Sequence, residues 1–211
     1  MPCIVVLSMH RSGSSLTASI LQSLGVYIGT ELLGTHPSQP YGHFENVKFY
    51  RLNVDILKAA GGNWANPPPD GAIMAVKPQF KERIIRTIQE ESRDLWGFKC
   101  PRTCLTIPLY LPYLKDPRFI LVYRDPIAIA ASLSKRSGTP PDGWVNLIKV
   151  YQRAMEIYAI GYPVIRVNYD VLMCEDRAER EVEYLNSFIG GNGDIEIALG
   201  NIHFRKNDTE S

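Results

Sequence analysis

Apolar positions along this chain recur with two different periods. Cys3-Ile4-Val5-Val6-Leu7-Ser8 is an unbroken run rich in β-branched residues and reads as a buried strand. Leu95-Trp96-Gly97-Phe98, Phe119-Ile120-Leu121-Val122-Tyr123 and Val164-Ile165-Arg166-Val167 read the same way. Between these runs the spacing changes to that of a helix. Leu16-Thr17-Ala18-Ser19-Ile20-Leu21-Gln22-Ser23-Leu24 is amphipathic and stops at Gly25. Val47, Tyr50, Val54 and Leu57 share one helical face, and so do Phe80, Ile84, Ile85 and Ile88. Helical segments over 105–114, 126–136 and 177–189 follow the later strands, and a longer one covers 144–159. Residues 34–43 are polar and rich in turn formers. Residues 61–71, with Pro67-Pro68-Pro69, read as a long surface loop.

Strands alternating with helices predict an α/β fold with a mainly parallel central sheet. Ligands of such sheets bind beyond the carboxyl ends of the strands, so the residues just after each run carry the interest. Composition narrows the picture. At 211 residues and 45% hydrophobic, the chain suits one compact domain over 1–211. A net charge of +1 argues against general binding to nucleic acid or to an acidic membrane, so any anion site must come from local placement of cations. Cys3, Cys100, Cys104 and Cys174 show no C-x-x-C spacing, which fits reduced thiols in a cytoplasmic protein rather than a disulfide or zinc framework. The N-terminal apolar run is too short for a signal peptide or a membrane span.

The first strand leads directly into Met9-His10-Arg11-Ser12-Gly13-Ser14-Ser15 and then a helix. Strand, tight polar turn and helix N-terminus form a phosphate cradle, because unpaired backbone N–H groups and the positive end of the helix dipole converge there. Laid on G-x-x-x-x-G-K-[ST], Ser8 takes the first glycine, Gly13 the second, Ser14 the lysine and Ser15 the final hydroxyl. The lysine that reaches β- and γ-phosphates is missing, and a cation stands instead at Arg11. The loop therefore predicts a nucleotide with a short 5′ chain. Its plain alternative is an ordinary βα turn with serine caps.

A second segment adds to the first. Arg124 ends the Phe119–Tyr123 strand, and Ser132 follows eight positions later, about two helical turns on. A planar, permanently charged guanidinium and a hydroxyl donor suit a phosphate. Taken together, His10-Arg11-Ser12-Gly13-Ser14-Ser15 and the Arg124/Ser132 pair resemble the signature of sulfotransferases that use 3′-phosphoadenosine-5′-phosphosulfate (PAPS). That family carries a Pro-Lys/Arg-Ser-Gly-Thr-Thr loop for the 5′-phosphosulfate, and a strand-end arginine with a serine eight positions on for the 3′-phosphate. Trp96-Gly97-Phe98-Lys99-Cys100-Pro101-Arg102 is similar to the lysine-x-proline element of Golgi-type and small bacterial members. Val164 to Leu172 is similar to their strand ending in Tyr-Glu-Asp-Leu, with Asp170 and Val171 departing from the acidic pattern.

The resemblance implies a three-layer fold of the P-loop NTPase type. It implies sulfuryl transfer in line from PAPS to an acceptor hydroxyl or amine, leaving 3′-phosphoadenosine-5′-phosphate. No metal is needed. His10, Arg11, Ser12, Gly13, Ser14, Ser15, Arg124 and Ser132 would bind the donor. Arg11 and Lys99 would stabilise charge, and Glu45 would act as general base, with His43 and His36 as rival bases. The partner would be a small-molecule or glycan- or lipid-type acceptor, not a nucleic-acid polymer. Trp64 and the prolines after it are candidates for an acceptor wall. Two other readings remain open at this point: a small-molecule kinase or nucleotide hydrolase, which Ser14 disfavours, and a catalytically silent nucleotide-binding module.

Overall fold

The computed structural model describes residues 2–36, 41–191 and 193–207, with side chains through Ile202. Strands β1 (Cys3–Ser8), β2 (Trp96–Lys99), β3 (Pro117–Tyr123) and β4 (Val164–Asn168) form one sheet in the order β2-β1-β3-β4. All three pairings are parallel, with Val5 beside both Phe98 and Phe119, and Val122 beside Val167. Every residue of β1 is buried, as a central strand covered on both faces must be.

The two-residue period of the strands divides the core. Cys3, Val5 and Leu7 point to one face with Phe98, Phe119 and Leu121. There they meet α2 (Val47–Ala59), α3 (Asp70–Ala75), α4 (Lys77–Glu91), α5 (Thr103–Tyr110) and α7 (Val145–Ala159). Ile4, Val6, Ile120 and Val122 point to the other face. They pack on α1 (Ser14–Ser23), α9 (Glu175–Ile189) and α10 (Ile195–Asn207) through Leu16, Ile20, Val182, Leu185, Ala198 and Ile202. Helix layers on both faces of a parallel sheet give the three-layer architecture expected from the alternating pattern.

Local signals set the remaining elements. Asn46 caps α2 by accepting from Lys48 N at 2.9 Å. Helix α6 (Pro126–Ser137) starts with Pro126 after Asp125, whose carboxylate accepts from Ile127 N at 2.7 Å, and ends at Gly138 with φ of 77°. A short helix, α8 (Tyr169–Leu172), follows β4 directly, capped by the Asn168 side chain.

Three expectations change. The 105–114 helix ends at Tyr110 and continues as a 3-10 turn over Leu111–Tyr113, where Pro112 lies. The 61–71 segment is more than a surface loop: Pro68 is buried, Trp64 packs against the core, and α3 begins at Asp70. Helix α10, absent from the sequence reading, seats Ala198 and Ile202 against the face that includes α1.

Candidate active site

From β1 the chain runs to β2 on one side and then crosses to β3 on the other, so β1 and β3 flank the point where strand order reverses. Loop 9–13 sits at the carboxyl end of β1, and Arg124 at that of β3. The loop turns by placing Arg11 at φ 68° and Gly13 at φ 87°, both left-handed. Gly13 is required twice over. A Cβ there would lie 2.0 Å from Cδ2 of Tyr169, whose ring presses on the turn. Gly13 also precedes α1 without a side-chain cap, and no acidic residue stands in the first turn, which leaves that helix end available to an anion.

Residues far apart in sequence close around this loop. Nε of Arg11 donates to Ser132 Oγ at 2.9 Å, and Nη1 of Arg124 donates to the Arg11 carbonyl at 3.2 Å. Arg124 also lies over the Tyr169 ring, 4.6 Å from its centroid, with Nε 3.9 Å from Asp170. Asp170 accepts from Asp125 N at 3.3 Å, so the β4–α8 junction braces the end of β3. Burial, followed by the charges of Arg136 and Arg124, lowers the proton affinity of Arg11 from its usual value. This is a concentrated positive field, although the whole chain is nearly neutral.

Beside it lies a buried ion pair. Lys99, 2% exposed at the end of β2, donates to Glu45 Oε1 at 3.1 Å, to Ser15 Oγ at 3.3 Å and to the His43 carbonyl. Ser15 Oγ donates to the same carbonyl at 3.0 Å. The second oxygen of Glu45 is 3.8 Å from Arg102 and has no hydrogen-bond partner among the described residues. Arg102 stacks over Tyr50 at 4.7 Å. Burial pushes the neighbouring Cys100 thiol up to about 12, so it stays protonated and unreactive near neutrality.

A model of the sulfotransferase family matches residues 2–172. The chain belongs to the sulfotransferase family. No curated protein matches the sequence. Among solved structures, the sulfotransferase domain of the Synechococcus PCC 7002 olefin synthase superposes with a TM-score of 0.60 at 20% identity, covering 94% of this chain and 76% of that one. The sulfotransferase domain of the curacin biosynthetic pathway gives 0.56 at 14% identity over 92% of this chain and 76% of its own. Sulfotransferase STF9 from Mycobacterium avium gives 0.54 at 14% identity over 95% and 66%. At such identities the likeness is one of fold.

Within this sulfotransferase fold the sequence-derived residues gather at one edge of the sheet. The loop from His10 to Ser15 meets Arg124 and Ser132 on one side and Lys99 and Glu45 on the other. The His10 side chain turns into the core, its ring 4.4 Å from Trp64. His43 contributes its carbonyl to Lys99, while burial keeps its half-buried imidazole less basic than usual. His36 lies within electrostatic reach of His43. Trp64 stacks on Trp144 with ring centroids 6.0 Å apart, and Tyr151 donates to the Trp64 carbonyl at 2.9 Å.

Sequence reasoning missed the parts played by Tyr169, Asp170 and Trp144. Tyr169 was visible only as part of a motif, since its contact with Gly13 spans 156 residues. Trp144 carried no local signal at all.

Proposed function

We propose that this sulfotransferase moves a sulfuryl group from PAPS to an acceptor hydroxyl or, as a second option, an amine, and that residues 1–211 act as one sulfotransferase-like domain. One observation carries the reading: the Arg11–Ser132 hydrogen bond, which joins a 5′-type phosphate loop to a separate strand-end arginine and serine. A nucleotide with phosphate on both 5′ and 3′ positions needs two such anion sites at one mouth.

The residues present suit that donor. Gly13 turns the chain, under the Tyr169 ring, into the uncapped first turn of α1, and Arg124 keeps a buried Nε with no hydrogen-bond partner among the described residues. In this reading His10, Arg11, Ser12, Gly13, Ser14 and Ser15 hold the 5′ end, while Arg124 and Ser132 hold the 3′-phosphate. The donor supplies the sulfuryl group, which passes in line to the acceptor and leaves 3′-phosphoadenosine-5′-phosphate. Arg11 cannot readily release a proton, so its part is electrostatic, aimed at charge developing on the leaving side. Lys99 faces the same region, held in place by Glu45, Ser15 and the His43 carbonyl. Glu45 takes the acceptor's proton on Oε2, the oxygen that faces Arg102.

The acceptor belongs to a small-molecule, glycan or lipid class, approached past Trp64. The cysteine usage fits a cytoplasmic setting. Among the described residues no helix is long and apolar enough to cross a membrane. The test is transfer of labelled sulfate from PAPS across a panel of alcohols and amines, with a parallel melt in ATP and magnesium. Acceptor-dependent labelled product supports the reading. A magnesium-dependent rise in melting temperature with ATP, absent with adenosine 3′,5′-bisphosphate, would favour a kinase or hydrolase instead.

A further inference from the structure

The Lys99–Glu45 pair joins two segments distant in sequence, the end of β2 and the start of α2. A second buried carboxylate links the same two segments. Glu91, the last residue of α4, is 4% exposed. A negative charge at that place is opposed twice, by burial and by the negative end of its own helix dipole. Three donors compensate it. Lys48 Nζ stands 2.6 Å from Oε1. Oε2 accepts from Asn46 Nδ2 at 2.8 Å and from the Tyr27 hydroxyl at 3.3 Å. Burial raises the proton affinity of the carboxyl, but the bonds from Lys48 and Asn46 outweigh it, so the group lies below its usual range and stays ionised near neutrality.

The two residues that share Oε2 belong to opposite sides of the Lys99–Glu45 pair. Tyr27 lies along β2: its N–H donates to the Leu95 carbonyl at 3.0 Å, and its carbonyl accepts from Gly97 N at 2.9 Å, two residues before Lys99. Asn46 directly follows Glu45 and caps α2. Its amide sits against Gly29, where a Cβ would lie 2.2 Å from Nδ2. Two backbone bonds, Leu33 N to the Glu45 carbonyl at 2.8 Å and Val47 N to the Glu31 carbonyl at 3.0 Å, hold residues 45–47 to 31–33 rather than to β2. We propose that Glu91 is a positioning residue: by holding Tyr27 and Asn46 on one oxygen, it sets the start of α2 against the end of β2 so that the Glu45 carboxylate meets the Lys99 ammonium. A carboxylate at the wrong end of a helix is kept because it serves three donors at once. A glutamine there offers one oxygen, and whichever of Lys48 and Asn46 that oxygen serves, its NH2 faces the other. The inference rests on the Glu45 and Lys99 roles proposed above and names the residue that sets their spacing.

The test exchanges donor and acceptor across the Asn46–Glu91 bond. Glu91→Gln turns an NH2 toward Lys48 or Asn46, and Asn46→Asp sets one carboxylate against another across a 2.8 Å contact. The double variant Asn46→Asp/Glu91→Gln restores a hydrogen bond of opposite polarity, conserves the charge and keeps a good cap on α2. Transfer is measured with PAPS and the alcohol of the panel that is turned over fastest, well below each protein's melting temperature. Each single variant should lower kcat about tenfold to 100-fold, as a misplacement of about 1 Å does, with adenosine 3′,5′-bisphosphate affinity within about twofold of wild type. The double variant should return kcat to within about threefold of wild type. Glu90→Gln, which removes only the exposed 2.9 Å bridge to Lys48, should leave kcat unchanged. Crystal structures read the spacing without any acceptor: the Lys99–Glu45 pair should open beyond about 4 Å in Glu91→Gln and close again in the double variant. A Glu91→Gln protein in which kcat holds or the pair stays at 3.1 Å, or a double variant no better than the singles, would overturn the proposal. The base assignment stands in that case if Glu45→Gln is inactive. Near wild-type turnover in Glu45→Gln would overturn that assignment, and this inference with it.

Discussion

Arg124→Ala separates the two halves of the proposed donor site. The guanidinium has three attachments: a 3.2 Å bond to the Arg11 carbonyl, the Tyr169 ring 4.6 Å away, and Asp170 at 3.9 Å. Losing a hydrogen bond donated by a charged guanidinium costs about 1.5–3 kcal/mol, a partly exposed cation–π contact about 0.5–1 kcal/mol, and an exposed ion pair at most about 1 kcal/mol. The fold should therefore lose about 3 kcal/mol, read as a fall in melting temperature of about 6–12 °C. Binding should change far more selectively. A charge-assisted contact to a 3′-phosphate is worth about 1.5–3 kcal/mol, so affinity for adenosine 3′,5′-bisphosphate should drop roughly tenfold to 150-fold. Adenosine 5′-monophosphate lacks that phosphate, and its affinity should hold to within about twofold. Calorimetry of both nucleotides on both proteins completes the cycle. Equal losses for the two nucleotides would refute the reasoning, because Arg124 would then merely brace the loop through the Arg11 carbonyl.

Other substitutions probe the chemistry. Arg11→Ala should cut turnover by about 10²–10³ at saturating donor and alter donor affinity less, as expected of a contact realised in the transition state; steady-state kinetics that show a loss of affinity alone would make Arg11 a binding residue. Glu45→Gln keeps the shape but leaves the buried Lys99 without its anion. Turnover should fall about 10²–10⁴ with bisphosphate affinity nearly unchanged, and the melting temperature should drop as well. Near wild-type turnover there, with collapse in His43→Ala or His36→Ala, would move the proton to a histidine. Gly13→Ala forces a Cβ to within 2.0 Å of Tyr169 at φ 87°, and should both destabilise the fold and abolish measurable bisphosphate binding, as melts and calorimetry will show. Pairing it with Tyr169→Leu should restore stability only in part, because the backbone strain at residue 13 remains.

How much of this was legible in the sequence depends on whether the signal was local. β1 and its loop were readable because a strand buried on both faces leaves no polar position before its last residue, Ser8, and because the glycine that the turn needs is the residue a left-handed φ selects. Arg124 and Ser132 were readable as a spacing on one strand–helix unit. The bond from Ser132 to Arg11 was not, since it depends on β1 and β3 being neighbours in the sheet. Residues 61–69 misled for a physical reason: prolines and glycines exclude regular structure but say nothing about burial, and Trp64 supplies the apolar surface that draws the segment inward. Helix α10 carries exposed Ile197 as well as buried Ala198 and Ile202, so no clean stripe announced it. The partner of Glu45 was hidden for a similar reason. Lys99 lies 54 residues away and is visible only as a strand-end lysine until the sheet forms.

A crystal structure of the complex with adenosine 3′,5′-bisphosphate bears most directly on the central claim that two anion sites at one sheet edge hold one nucleotide. The account predicts the 5′-phosphate over the backbone of residues 12–15 and the 3′-phosphate within hydrogen-bond distance of Arg124 and Ser132, with Arg11 turned toward the 5′ end. A nucleotide bound elsewhere, or one held by its 5′-phosphate with the 3′-phosphate in solvent away from Arg124, would contradict it.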